Sequence, residues 1–148
     1  MSVRSGRSTR DPVQVASAAV GTVFLLVAIL GFIPGVTANY GQLGLFGHHS
    51  EAMLLGVFNV SVLHNLVHAL FGVAGLLAAR TAAGARGFLL WGGVIYLVLW
   101  LYGLLIPFDG PANFVPLNTA DNWLHLLLGL AMIALALLLG RHARRRLV

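Results

Sequence analysis

The sequence predicts an all-α membrane protein: four transmembrane helices in an up-down bundle, with a parallel duplication of a two-helix unit as one way of generating it. Three observations carry this. Of 148 residues, 59% are hydrophobic and only 9% charged, with a mean hydropathy of +0.91, whereas ordinary soluble domains carry roughly 25% charged residues. Four uncharged stretches, about 12–33, 52–79, 87–106 and 122–139, each reach or approach the roughly 20 residues that cross a bilayer. The nine arginines also alternate with these stretches in a one-sided way.

Arg4, Arg7 and Arg10 precede the first stretch, Arg80 and Arg86 separate the second from the third, and Arg141, Arg144, Arg145 and Arg146 follow the fourth. The segments 35–51 and 108–120 contain none. Basic residues collect on the cytoplasmic side of membrane proteins, so both termini are expected in the cytoplasm and the whole chain, 1–148, is read as one multi-pass domain of the cell membrane. The sequence pI of about 11.2 then reflects topology and attraction to anionic lipids at the cytoplasmic face, with no nucleic-acid partner required. All basic residues are arginine and none is lysine, which suggests a GC-rich bacterial genome. The absence of cysteine excludes disulfides, thiolate metal ligation and cysteine nucleophiles.

Local chemistry marks the boundaries. Asp11 before Pro12 suits the start of the first helix and Pro34-Gly35 its end. A secretory signal is the alternative, because Val36-Thr37-Ala38 mimics a cleavage site, but the apolar run is too long for one. Ser50 and Glu51 suit the start of the second helix. At 28 residues, that stretch is expected to tilt, protrude or break near Gly56. Pro107 ends the third helix, and Asn118 or Thr119 with Asp121 starts the fourth.

The second stretch carries the chemistry. Ser61, His64 or Asn65, His68, Gly72, Gly75 and Ala79 fall on one helical face, polar in its outer half and small below. Polar side chains at membrane depth need partners inside the bundle, so this face points inward. The pattern recurs: Asn65, His68 and Gly72 align with Asn122, His125 and Gly129. A second register aligns His64 with His125, each sixteen positions before the arginine closing its helix and about 24 Å above the cytoplasmic end. Either way the histidines share an outer-leaflet layer.

Three neutral imidazoles, His64, His68 and His125, suit a zinc or copper ion, and two from facing helices suit axial haem ligation. Asn65 and Asn122 are placed to orient the rings, and Trp100, with Tyr96 one turn below, is at a depth to flank a planar ligand. The plain alternative is that His and Asn join helices by hydrogen bonds without any ligand. The aromatics have a plain reading too: Trp91 and Trp123 as inner and outer belts, the others as packing. Ser17 with Gly21, and Gly75 with Ala79, read as close-contact pairs. His48, His49 and Glu51, with Asp109 and Asp121, form an outer cluster suited to a weak divalent-cation or proton-sensing surface. The plain reading puts Glu51 and Asp121 at the positive ends of helices two and four. There is no phosphate-binding glycine loop, Gly-x-Ser-x-Gly or His-Glu-x-x-His. Ser61 beside His64 lacks an oriented carboxylate, so no enzyme is expected.

Several segments resemble a known family: Pro34-Gly35 with Asn39-Tyr40, Gly47-His48-His49-Ser50, the run Ser61 to His68, Phe71 to Gly75, Gly93 to Leu97, and Asn113 to His125. Over residues 10 to 140 the chain is similar to the domain-of-unknown-function 4383 family of small four-helix membrane proteins, mostly actinobacterial. The resemblance implies a membrane location and four helices but no activity. A looser architectural likeness to DoxX-type membrane proteins implies quinone or redox partners. The expected function is a structural or accessory membrane component with a buried His/Asn layer, associated with itself or a larger complex. The alternatives are a histidine-ligated metal- or haem-binding protein and a small proton or solute conduit working as an oligomer.

Overall fold

A computed structural model of the chain describes residues 10–145, and side chains over 10–140. Arg4, Arg7 and Arg146, and the side chains of Arg141, Arg144 and Arg145, lie outside them. The described chain has four α-helices, three two-residue strands and a single 3-10 turn (Tyr40–Gln42), joined by irregular segments: α1 (Pro12–Leu30), β1 (Thr37–Ala38), β2 (Met53–Leu54), β3 (Phe58–Asn59), α2 (Val62–Ala78), α3 (Ala82–Leu105) and α4 (Thr119–Arg145). By length and composition α1, α3 and the Thr119–Gly140 part of α4 are able to cross a membrane, whereas α2 is a shorter apolar helix of 17 residues.

The second helix corrects the expectation most. It begins ten residues after the predicted 52, because residues 52–60 form strands and a turn rather than helix. Leu55 and Gly56 both have positive φ, 54° and 70°, at the start of the three-residue link from Leu54 to Phe58, where Val57 N–H donates to Leu54 O at 3.1 Å. The antiparallel order β1-β2-β3 follows, with Leu54 opposite Phe58 and Thr37 opposite Leu54. An unbroken apolar run does not by itself distinguish helix from buried strand. Ser50, expected to cap the helix, instead bonds within the loop, to Val60 O and Gly44 N. The actual cap is Ser61, whose Oγ accepts from His64 N–H at 3.1 Å. Glu51 is therefore far along the chain from the helix end it was expected to meet.

Smaller differences have local causes. α1 stops at Leu30, three residues early, where Thr37 Oγ1 donates to the Leu30 carbonyl. α3 starts at Ala82 instead of 87, because Thr81 caps it by accepting from Gly84 N–H at 3.0 Å. α4 starts at Thr119 under a reciprocal cap: Asn118 Oδ1 accepts from Asp121 N–H and Asp121 Oδ2 accepts from Asn118 N–H, both at 3.0 Å.

α1 packs chiefly on α2, and α3 on α4. In the first pair Gln14 Nε2 donates to Ala79 O and Ser17 Oγ to Gly75 O, each at 2.9 Å. A methyl on Gly21 would lie 2.8 Å from the Gly72 carbonyl oxygen, and one on Gly31 would strike the Asn65 amide. The second pair repeats this. A methyl on Gly93 would lie 2.8 Å from the Gly129 carbonyl oxygen, and one on Gly103 would strike the Asn122 amide. Gly21 and Gly31 are as far apart as Gly93 and Gly103, and Asn65 and Gly72 as far apart as Asn122 and Gly129. Small residues set such close backbone approaches, where dispersion replaces hydrophobic drive. The main buried cluster, including Val13, Phe24, Ala85, Leu89, Tyr96, Met132 and Ala136, lies between the two pairs.

The outward faces are apolar: Leu26 and Ile29 on α1, Leu70 and Val73 on α2, Val98 and Leu105 on α3, and Leu127 and Leu130 on α4 are all exposed. Such a surface is the expected complement of lipid rather than water.

Candidate functional site

Capping places the polar side chains. Ser61 starts α2 and Asn118 starts α4. Three residues beyond each cap lies a buried titratable group, His64 or Asp121, and one turn further comes half-buried His68 or buried His125. The packing therefore selects the register in which His68 corresponds to His125, and Asp121 stands where the other pair has His64. The alternative register, His64 with His125, is not the one that the glycine and asparagine contacts repeat.

Ring contacts link these residues across the helices. His64 and His68 meet edge to face with centroids 4.4 Å apart. Phe24 of α1 lies 5.4 Å from His68, Tyr96 of α3 lies 5.1 Å from His125, and Phe24 and Tyr96 are 5.4 Å apart. Phe24 and Tyr96 occupy corresponding positions, so each pair sets an aromatic ring on its own histidine.

All three histidines and Asp121 line a cavity of about 440 Å³, of the size that holds small organic ligands. Its walls are Val20 and Val27 of α1 and Leu128 of α4; its roof is the sheet, through Leu54, Phe58 and Val60. Three of the lining residues, Val23 of α1, Leu55 of the sheet turn and Leu124 of α4, are also exposed. Almost everything lining it is apolar, with no arginine among the lining residues. Yet Nδ1 of His64, of His68 and of His125 is buried without a hydrogen-bond partner. A neutral imidazole carries one donor and one acceptor nitrogen, and a buried polar atom left unpaired costs about 1–3 kcal/mol.

Asp121 does more than cap α4. Its Oδ2 also accepts from Asn59 N–H of β3 at 2.9 Å, and Asn118 Nδ2 donates to Val57 O at 2.8 Å, so the sheet is tied to the start of α4 over the cavity. The sequence reading left Asp121 out of the site. Its spacing four before His125, repeating His64 before His68, was the available signal.

The remaining predicted residues are placed differently. Asn65 and Asn122 do not orient the imidazoles: each packs on a glycine of the preceding helix, Gly31 or Gly103. Both Asn65 amide atoms and Asn122 Oδ1 have no partner. Trp100 Nε1 is also buried and unpartnered, but Trp100 neither lines the cavity nor makes a ring contact among the described residues. His48 and His49 stack at 3.9 Å in the outer loop, while Asp121 is engaged with Asn59 and Asn118. Among the described residues no three His, Cys, Asp or Glu side chains form a group able to hold a metal ion.

A family model described as domain of unknown function (DUF4383) matches residues 14–138. No curated protein and no solved structure matches the chain.

Proposed function

The chain belongs to the DUF4383 family, and from that premise and the site's geometry we propose an accessory protein of the cell membrane that holds a small lipid-soluble molecule between α1 and α4. Four helices span the bilayer up and down, both termini are cytoplasmic, and α2 completes its crossing with the capped segment above Ser61. About 25 Å of helix from 17 residues is at the short end of what spans. The buried His/Asn residues form a layer toward the outer side, built twice by duplication of a two-helix unit. The protein binds rather than catalyses, since no nucleophile with an oriented base lies in the cavity.

One observation carries this reading: an apolar cavity lined by exposed aliphatic side chains of α1 and α4 and by three histidines whose Nδ1 atoms are buried without a partner. In a membrane those exposed side chains face acyl chains, so a ligand enters from the bilayer. Histidine-ligated metal or haem is the weaker proposal, because no metal-holding group forms among the described residues.

The test is extraction of protein purified in mild detergent, with mass spectrometry of the organic phase. Wild type is expected to release a small lipophile in near-stoichiometric amount, and Leu128→Phe, which puts a larger ring into the cavity, to release less. Equal release from both contradicts the reading. Topology has its own test in the cysteine-free chain. A membrane-impermeant thiol reagent on intact cells should label Asp109→Cys and spare Ala83→Cys; the reverse overturns the orientation.

A further inference from the structure

We infer that the cavity selects an uncharged lipophile: an apolar body between α1 and α4, and a head bearing a hydroxyl or carbonyl oxygen that hydrogen-bonds the histidines of the floor. This rests on the lateral-site reading above and adds to it the chemistry of the ligand.

The lining argues it from both ends. The walls and roof, from Val20, Val27, Leu128, Leu54 and Phe58, offer only dispersion contacts and accept an apolar chain or ring. The floor is different, because Nδ1 of His64, His68 and His125 is held there unpaired, with His64 only 4% and His125 5% exposed. A hydroxyl can donate to a bare imidazole nitrogen or accept from a protonated one, and a carbonyl can accept. One oxygen reaching the floor thus removes part of an unmet demand that a hydrocarbon leaves in place.

Charged heads meet a worse site. No arginine lines the cavity, so a carboxylate or phosphate would be desolvated there without a counter-charge. An ammonium finds a single carboxylate among the lining residues, Asp121, whose Oδ2 already accepts from Asn59 and Asn118 N–H in holding the sheet to α4, which leaves Oδ1 alone to face it. A divalent ion lacks a converging ligand set among the described residues. An uncharged oxygen is the head that the floor satisfies without a cost of this kind.

The experiment uses the full chain in phosphatidylcholine nanodiscs and five probes of equal carbon number: 1-dodecanol, 2-dodecanone, dodecane, dodecanoate and dodecylamine. Affinity is read from thermal shifts, always against Leu128→Phe. The alcohol and ketone are expected to bind about fivefold more tightly than the alkane, the factor of one ordinary hydrogen bond, and the two ions more weakly than either. In His64→Leu and His125→Leu, scored separately so that failure of one to fold leaves the other, this preference falls below twofold while alkane binding persists. Equal binding of alcohol, ketone and alkane overturns the head contact. Binding of dodecanoate or dodecylamine as tight as the alcohol overturns the uncharged head. If no probe stabilises wild type more than Leu128→Phe, the lateral-site reading itself fails.

Discussion

The two flanks of the bundle are built from corresponding helices, yet one is filled and the other open. Between α2 and α3, Phe71 packs on Phe88 with centroids 5.0 Å apart and on Tyr96 at 5.5 Å. A methyl on Gly75 would lie 2.8 Å from the Phe88 ring, and one on Gly92 equally close to Phe71. The corresponding positions on the other flank are Leu128 for Phe71 and Ala16 for Phe88. Smaller side chains there leave the cavity, and the sheet, which only the longer connection between α1 and α2 contains, roofs it. The two helix pairs thus share the asparagine, one histidine and the glycine contacts, and differ in a few aromatic positions along their flanks.

The first way to break the comparison is to attack what the pairs share. Gly21→Val and Gly93→Val each drive a side chain into facing backbone that cannot yield, and each should cost about 3 kcal/mol or more. Loss of monodisperse protein in detergent is expected from both. If only one suffers, the two pairs are not equivalent.

Emptying the filled flank comes next. Phe71→Ala should lower stability by about 2 kcal/mol through the cavity it leaves, seen as a lower melting temperature, and it opens a second lateral site. The converse change, Leu128→Phe, goes into existing space, so its stability should stay within about 0.5 kcal/mol of wild type. A large loss there would mean that the α1/α4 flank is as tightly packed as its counterpart.

The caps sharpen the contrast at the top of the helices. Asp121→Ala removes the α4 cap and the bond to Asn59, and should cost about 2 kcal/mol. Ser61→Ala removes one capping bond and should cost about 1 kcal/mol. Comparable losses in denaturant titrations would remove the distinct role given to Asp121.

The sequence disclosed the polar face of α2 and its echo on α4, because helix spacing alone aligns Asn65, His68 and Gly72 and repeats them at Asn122, His125 and Gly129. It also disclosed Ser17 with Gly21 and Gly75 with Ala79 as close-contact pairs, though not that the first meets Gly75. It did not disclose the sheet: Met53 to Asn59 is as apolar as the helix that follows, and the signal was Gly56, where a break was expected but not a hairpin. The asymmetry of the flanks was hidden for another reason. Phe71 and Leu128 are both ordinary apolar residues, and what separates them is the presence of Phe88 opposite one and Ala16 at the matching position of the other. The bonds of Asp121 to Asn59 join residues 62 apart in the chain, which no local pattern reveals.

The most direct test of the central claim is photolabelling of the protein in its own membranes with a lipophilic alkyl diazirine, followed by peptide mapping. Adducts concentrated on Val20, Val23 and Leu128, and lost in Leu128→Phe, are the predicted result. Adducts spread evenly over the outward faces of all four helices, unchanged by that substitution, would contradict it.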